Sequence, residues 1–309
     1  MTATVTETPA RNYIGGAWRP TVSGSTYEKR NPWRPSELTG VFQASDADDA
    51  REAVAAAAAA FPGWAKLPAP SRAAFMTKAA DAIEARAEQV AQDMTAEMGK
   101  PLREARMEAA RAATILRFAA GEAWRPIGEV YAASVPLQRL YTVRRPLGVV
   151  GLITPWNFPI AIPVWKLAPA LIHGNTIVLK LGYEAPRTGL HVAECFAEAG
   201  LPPGVLNVLT GAGSKVGAEL VASPDVRAVS FTGSVEVGHV ARSRTPSSTG
   251  PSRPPTPGRS GRRARSARRR GGSTSRRAPT TPSARRSSPG SRGAGSAIPL
   301  TRTPRSGRS

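Results

Sequence analysis

The sequence has a single cysteine, Cys195, among its 309 residues. One cysteine excludes a disulfide framework within the chain and is typical of a protein of the reducing cytoplasm. The first residues contain no basic segment followed by an apolar stretch, so no secretory signal is expected. The three histidines, His173, His191 and His239, have neither metal-ligand spacing nor a cysteine partner, and no metal site is predicted.

The last part of the sequence lacks lysine, acidic residues and aromatic residues. Positions 241–309 hold 18 of the 42 basic residues, all of them arginine, and neither Asp nor Glu. Residues 1–240 contain the other 24 basic residues and all 22 acidic ones. The net charge of +20 therefore comes almost wholly from this tail. Because the tail offers only Ile298 and Leu300 as large apolar side chains, it cannot offset its chain entropy by folding. We expect a disordered low-complexity tail over 242–309.

Two interpretations of this tail differ in function. An arginine-rich segment without acidic residues binds phosphate backbones, and "RRARSARRR" at 262–270 resembles a localisation patch. Alternatively, the tail is out-of-frame translation of a GC-rich gene, since Arg, Pro, Gly and Ala have GC-rich codons. The complete absence of lysine beside 18 arginines favours the second interpretation.

An uncharged run of 20 residues, 146–165, has the length of a membrane span. Pro155, Pro159 and Pro163 divide it, which favours a buried strand, a turn and a helix start over a membrane helix. No membrane partner is therefore expected.

The first 145 residues show mainly helical spacing of apolar residues. The pattern predicts a helix over 46–60 with Ser45 as N-cap, a long helix over 70–98, and a helix from 102 to about 120 with Leu116 and Phe118 on its apolar side. Alternating residues over 136–145 predict a half-exposed strand.

A regular alternation of strands and helices begins after Pro146. Four apolar segments, "LGVVGLIT", "NTIVLKL", "GVLNVLTG" and "VRAVSFTG", are separated by helical segments. Strands joined in this way form right-handed βαβ units and a parallel sheet covered on both faces. The sequence therefore predicts an α/β fold with a Rossmann-like parallel sheet, whose ligands bind at the carboxyl ends of the strands.

Polar residues and glycines collect at these strand ends. Asn157 follows the first strand between aromatic residues and prolines, and its fixed amide suits a developing oxyanion; a turn-forming Asn is the alternative. Lys180 ends the second strand, where it either meets a phosphate or ribose or is a solvated strand end.

Glycines mark the other two strand ends. Gly213 and Gly217 follow the third strand in a G-x-G-x-x-x-G pattern, a weak variant of the dinucleotide fingerprint. Gly233 and Ser234 follow the fourth strand and open a helix whose free N–H groups suit a pyrophosphate, although a structural turn has the same pattern.

Taken together, these segments resemble a known family. "TPWNFP", "WKLAPAL", "GNTIVLK", "LPPGVLNVLTG" and "FTGS", in this order, are similar to the NAD(P)-dependent aldehyde dehydrogenases, and "YIGGAW" and "EMGKPLREA" extend the likeness over residues 11–241. The run that begins with "EMGKPLREA" is most similar to bacterial semialdehyde dehydrogenases, which act on short carboxylated aldehydes.

The resemblance implies a cofactor-binding domain over 1–241, incomplete relative to the family, with part of an oligomerisation hairpin at about 125–145. It implies an aldehyde substrate, NAD or NADP as cofactor, and a homo-oligomer in the intact family. Asn157 takes the role of oxyanion donor, Lys180 contacts the ribose, and Gly233 with Ser234 contacts the pyrophosphate. The implied cofactor-binding residues are Ile153, Thr154, Pro155, Trp156, Lys180, Gly213, Gly217, Phe231, Gly233 and Ser234.

Two departures from the family pattern bear on function. Where the family often has "LKPSE", whose Glu binds the ribose hydroxyls, this sequence has "LKLGYEAP", with Tyr183 at that position and Glu184 one residue later. Without a carboxylate there, a 2′-phosphate meets less repulsion, so NADP stays a candidate beside NAD. The family's nucleophilic Cys and general-base Glu lie beyond the matching segment, and Cys195 sits in a helix as a small buried hydrophobe.

The chain as written is therefore predicted to be inactive in aldehyde oxidation. The alternative function is a non-catalytic nucleotide-binding fragment whose arginine-rich tail binds nucleic acid.

Overall fold

A computed structural model describes residues 8–244, with side chains as far as Ala241. These residues lie in the first of two units of the chain, Met1–Gly250. Beyond Arg244, the tail predicted to be disordered lies outside the described residues.

The chain begins with short strands, continues with four helices and then alternates strands with helices. The strands are β1 (Asn12–Ile14), β2 (Ala17–Arg19), β3 (Thr26–Arg30), β4 (Leu38–Gln43), β5 (Val130–Tyr131), β6 (Leu140–Tyr141), β7 (Val149–Ile153), β8 (Thr176–Lys180), β9 (Leu206–Leu209) and β10 (Val226–Phe231). The helices are α1 (Ala47–Lys66), α2 (Ala69–Ala85), α3 (Ala87–Met98), α4 (Leu102–Gly121), α5 (Ala161–Ile172), α6 (Pro186–Glu198), α7 (Ala218–Ala222) and α8 (Val235–Arg244).

The central sheet has six strands in the order β10-β7-β8-β9-β1-β2. The four strands predicted from the alternation are its parallel part, which confirms the predicted α/β class with a parallel sheet. Phe231 pairs with Ile153, Ile153 with Lys180, and Lys180 with Leu209. One row across the sheet therefore brings the last residues of all four strands to the same edge.

Both faces of the sheet are covered, as expected for strands without polar alternation. On one face, Val149, Ile153 and Val178 pack in a cluster with residues of α1 and α7. On the other face, Leu152, Ile177 and Leu179 join the larger core that α2 to α6 contribute. The helices thus fix the sheet from both sides and leave its carboxyl edge for a site.

The sequence patterns did not predict that the N-terminal segment joins this sheet. β1 runs antiparallel to β9, with Tyr13 opposite Val208, and pairs with β2 through a turn at Gly15 and Gly16. Both glycines have positive φ, 62° and 83°, the backbone conformation of a tight hairpin turn. Three-residue strands are too short for an alternation signal, so only the tertiary pairing defines them.

Several predicted element boundaries were wrong. The N-cap of α1 is Asp46, whose side chain accepts from Asp48 N, not Ser45, which is buried against Asn12 instead. The long helix over 70–98 is two helices that meet at Arg86, with φ −110°. Neither Gly nor Pro occurs at that break. The Arg86 side chain forms ion pairs with Glu194 and Glu198 on α6.

Three further differences concern the exposure of a side chain, the extent of a strand and the start of a helix. Phe118 is exposed on α4, whereas Leu116 is buried as expected. The predicted strand over 136–145 is reduced to the two residues of β6, which pair with β5 in an exposed hairpin. The segment "SKVGAELVAS" begins as a π-helical turn over 213–217 before α7.

Candidate functional site

A cleft of about 970 Å³ lies at the carboxyl edge of the parallel strands. Its walls come from the segments that follow β7, β8 and β10 and from the π-helical turn after β9. This volume falls within the usual range of small-molecule and cofactor sites.

All eleven candidate residues from the sequence line this one cleft, although they come from four separate segments. They are Ile153, Thr154, Pro155, Trp156, Asn157, Lys180, Gly213, Gly217, Phe231, Gly233 and Ser234. Their common location follows from the row of paired strand ends, and their individual roles stay predictions. Sequence reasoning did not assign the cleft residues Gly182, Ser214, Glu236 or Val237, because they carry no side-chain pattern of a site.

Lys180 is the buried cation of the cleft. Its residue is only 5% exposed, so the alternative of a solvated strand end was wrong. Burial lowers the pKa of its ammonium to about 8, while the charge of Glu184 opposes this shift. A Cβ at Gly213 would stand 3.7 Å from Lys180 Nζ, which is an ordinary van der Waals contact, so Gly213 lies directly beside the ammonium.

Two of the helices that follow strand ends have their N-termini already occupied by protein carboxylates. Glu108 Oε1 accepts hydrogen bonds from Ile160 N and Ala161 N, each 3.1 Å, at the start of α5. Glu97 accepts from Arg187 N at 2.6 Å and from Thr188 N at 3.0 Å at the start of α6. Because a buried carboxylate takes these N–H groups, neither terminus can hold a ligand phosphate.

Among the described contacts, no glutamate accepts a hydrogen bond from the first N–H groups of α8. Ser234 Oγ accepts from Val237 N at 3.3 Å, and Ser234 O accepts from Gly238 N at 3.0 Å. At Gly233 a Cβ would lie 2.6 Å from the outer edge of the Phe231 ring, so any side chain there would force that ring to move. Of the three helix starts, that of α8 is therefore the one whose first N–H groups no protein carboxylate takes among the described contacts, and it lines the cleft.

The segment after β7 closes the cleft beside Lys180. Thr154 donates to the Lys180 carbonyl from both its N–H (3.1 Å) and its Oγ1 (3.2 Å), which ties the two strand ends together. Trp156 is half-exposed, and the Asn157 side chain makes no hydrogen bond within the described residues. A free carboxamide that lines a cleft can donate to a bound oxygen.

A second tight approach joins the segments after β7 and β8. A Cβ at Gly182 would stand 2.8 Å from the Pro155 carbonyl carbon and oxygen, which is closer than real contacts allow. Gly182 is therefore required for the two cleft walls to meet.

Tyr183 stands at the rim of the cleft in a stacked pair with Tyr27 of β3. Their ring centroids are 4.3 Å apart at an interplanar angle of 13°, and Lys29 Nζ lies 5.8 Å from the Tyr183 ring. Burial is the main cause that raises the pKa of Tyr27. The stack holds Tyr183 in one orientation against the cleft wall, a long-range contact that the sequence could not predict.

The lone cysteine does not line the cleft. Cys195 is fully buried in the core on α6, and burial raises the pKa of its thiol to about 12. The prediction that it acts as a buried hydrophobe is consistent with this environment.

His191, one turn before Cys195, is also fully buried but is bound by carboxylates. Its Nε2 is 2.7 Å from Asp93 Oδ2 and its Nδ1 is 3.0 Å from Glu194 Oε2. Burial lowers the pKa of the imidazole, but the two hydrogen bonds outweigh burial and the pKa is raised. His191 therefore links α3 to α6 and does not face the cleft.

Over the described residues, no group of His, Cys, Asp and Glu has the geometry of a metal site. In the same part of the chain, no helix is long and apolar enough to cross a membrane.

The sequence matches the family model described as "Aldehyde dehydrogenase family" over residues 18–249. It is 46% identical to alpha-ketoglutaric semialdehyde dehydrogenase of Bacillus subtilis (strain 168) over 74% of this chain and 47% of that protein. It is 44% identical to alpha-ketoglutarate semialdehyde dehydrogenase of Haloferax volcanii over 75% of this chain and 48% of that protein. The chain therefore spans about half the length of the curated relatives it matches.

The fold is also similar to that of solved structures, over a comparable share of each chain. A NAD-dependent aldehyde dehydrogenase from Sinorhizobium meliloti superposes with a TM-score of 0.75 and 37% identity, over 77% of this chain and 48% of that chain.

Proposed function

From the premise that the chain belongs to the aldehyde dehydrogenase family, we propose that its described part is the NAD(P)-binding portion of an enzyme that oxidises an aldehyde to a carboxylate. The observation that carries this proposal is the convergence of eleven candidate residues on one cleft beside the available N-terminus of α8. When bound, NAD(P)⁺ would supply the hydride acceptor.

The cleft fits a dinucleotide in charge and shape. Lys180 offers a buried ammonium to a ribose or phosphate oxygen, and Gly213 and Gly217 keep the wall beside it free of side chains. The backbone at Gly233 and Ser234 lies at the α8 terminus, where a pyrophosphate finds N–H groups without intrahelical partners. Asn157 lies in the same cleft on the segment after β7, where its amide would donate to the oxygen of a reacting aldehyde.

The substrate class proposed for the intact enzyme is a short aldehyde that carries a carboxylate. Two relatives above 40% identity are named for alpha-ketoglutarate semialdehyde, and this agrees with the similarity of the α3–α4 sequence to semialdehyde dehydrogenases. We also propose a cytoplasmic location, and a homo-oligomer formed in the intact enzyme through the exposed β5–β6 hairpin.

We propose that residues 242–309 do not belong to the enzyme but are translated out of frame. The other reading frames of the source DNA beyond codon 240 test this directly. A frame that encodes a glycine-rich segment with a Glu and then a Cys supports the proposal. If no frame does, nucleic-acid binding by the arginine-rich tail gains support, and salt-dependent DNA binding by the full chain is the next measurement.

NADH binding tests the proposed function. Titration of the purified chain with NADH is expected to quench tryptophan fluorescence, with energy transfer to the nicotinamide, because Trp156 is half-exposed in the cleft. Trp156→Phe should bind NADH with a smaller transfer signal, and the other five tryptophans account for what remains. The proposal would be contradicted if circular dichroism shows that the chain is folded but calorimetry detects no binding of NADH or NADPH.

The residue at position 183 should control the choice between NADH and NADPH. Tyr183→Glu restores a carboxylate where the family often has one, and its charge would repel a 2′-phosphate while it binds ribose hydroxyls. We expect NADPH affinity to fall on the order of tenfold relative to NADH. Tyr183→Phe is the matched control, since it keeps the stack on Tyr27 and adds no charge; an unchanged affinity ratio in Tyr183→Glu would contradict this role.

A further inference from the structure

The segment that carries Asn157 is held by a buried ion pair from outside the sheet. Lys100 lies between α3 and α4, and Glu108 lies on α4; both residues are buried. Lys100 Nζ donates to Glu108 Oε2 and, at 2.7 Å, to the backbone carbonyl of Asn157. The ammonium also lies 4.0 Å from the centre of the Phe158 ring.

The second carboxylate oxygen of Glu108 holds the other end of the same segment. Glu108 Oε1 accepts from Ile160 N and Ala161 N, the first N–H groups of α5. The pair therefore contacts positions 157, 158, 160 and 161, and anchors the turn between β7 and α5 at both ends. The Asn157 carboxamide itself stays free at the cleft.

Stability alone does not account for an ion pair at this place. Removing two charges from water costs free energy, and an apolar pair of similar size often gives equal or greater stability. What an apolar pair cannot supply is a set of directed hydrogen bonds to one carbonyl and two N–H groups. The geometry of the turn, rather than the stability of the core, is what depends on Lys100 and Glu108.

We propose that Lys100 and Glu108 are a positioning pair that fixes the backbone of the segment carrying Asn157, and thereby the place from which its carboxamide enters the cleft. This assignment rests on the proposed function, in which Asn157 donates to an oxyanion, and such a donor must be held in place before the reaction. Pro155 and Pro159 restrict the backbone on either side of Asn157, but they do not fix its distance from the sheet. The ion pair supplies that anchor.

The test follows the environment of the Asn157 side chain in the full chain without nucleotide. The chain has five asparagines, so selective ¹⁵N-Asn labelling gives a simple side-chain spectrum in which Asn157→Ala identifies the Asn157 signals. In Lys100→Met these signals should shift, and amide hydrogen exchange in the 157–162 segment should speed up on the order of tenfold. Lys166→Met is the matched control, because Lys166 lies on α5 and donates to Ser230; it should change neither readout.

The double variant Lys100→Met with Glu108→Leu separates positioning from stability. Because it leaves no unpaired buried charge, its melting temperature should lie well above that of Lys100→Met, while the Asn157 signals stay shifted and exchange stays fast. Lys100→Arg, which keeps the charge and the donors, should recover much of the wild-type spectrum. Wild-type Asn157 signals in the double variant would overturn the proposal, and that variant decides the matter if Lys100→Met alone does not fold.

These outcomes are distinct from failure of the proposed function. A chain that binds no NADH but shows the expected shifts would refute the nucleotide cleft and leave the anchoring of the turn. A chain that binds NADH while Asn157 is unaffected in the double variant would refute only the positioning pair.

Discussion

The Lys180→Met variant is expected to lose its affinity for NADH and, at the same time, to unfold at a higher temperature than the wild-type chain. The ammonium is almost fully buried, and burial lowers its pKa from 10.5 to about 8. A shift of this size corresponds to a cost of about 3 kcal/mol in the free energy of folding, which an apolar side chain of similar length removes. The ligand would lose a charged hydrogen bond, which reduces affinity by about a hundredfold.

The pH dependence of this stability difference follows from the protonation state of Lys180 in the folded and in the unfolded chain. Below pH 8 the lysine is charged in both the folded and the unfolded chain, so the full cost is present. Between pH 8 and 10.5 the folded amine is neutral while the unfolded one is still charged, so the cost falls as the pH rises. The stability difference between Lys180→Met and wild type should therefore be largest below pH 8 and shrink toward pH 10.5.

Chemical denaturation at several pH values and NADH titration measure the two effects separately. Lys166→Met serves as the control, because this lysine also has a pKa lowered by burial but lies outside the cleft. It should leave NADH affinity unchanged. Wild-type NADH affinity in Lys180→Met would show that the buried ammonium does not contact the nucleotide.

Purified chain mixed with NAD⁺ or NADP⁺ and a short aldehyde is expected to form no reduced cofactor, even within a single turnover. The chemistry that the family resemblance implies needs a cysteine thiolate, and Cys195 is the chain's one cysteine. Its thiol is buried, and burial raises the thiol pKa to about 12, so the thiolate is almost absent at pH 7. No side chain in the described cleft replaces it as a sulfur nucleophile.

Absorbance at 340 nm checks this result, and alkylation followed by mass spectrometry checks its cause. Native chain should resist iodoacetamide, whereas unfolded chain should take up one carbamidomethyl group. Aldehyde-dependent absorbance that persists in Cys195→Ser would show a different mechanism. Absorbance that disappears in Cys195→Ser would show that Cys195 reaches the substrate after all.

Sequence patterns were sufficient for the architecture that contains the cleft. Four apolar strands that alternate with helices define a parallel sheet, and its topology then places the residues after each strand at one edge. Asn157, Lys180 and Gly233 are recognisable for this reason, since each ends a strand or follows one within four residues. Short-range rules also located both ends of α4 to within a residue or two.

The two largest failures involve contacts between residues far apart in the chain. Strand β1 joins the sheet through pairing with β9, almost 200 residues later. At the break between α2 and α3, Arg86 pairs with Glu194 and Glu198 on α6. Neither feature leaves a periodic signal in the local sequence.

By itself, the sequence determined the α/β class, the order of strands and helices, and the residues that meet at the sheet edge, because these depend on periodicities of two to four residues. Only the tertiary structure decided that Lys180 is buried, that Tyr27 stacks on Tyr183, and that Glu97 and Glu108 occupy the starts of α6 and α5. Burial and helix-end charge arise when distant segments pack together and exclude water, and no local pattern encodes which segments will do so.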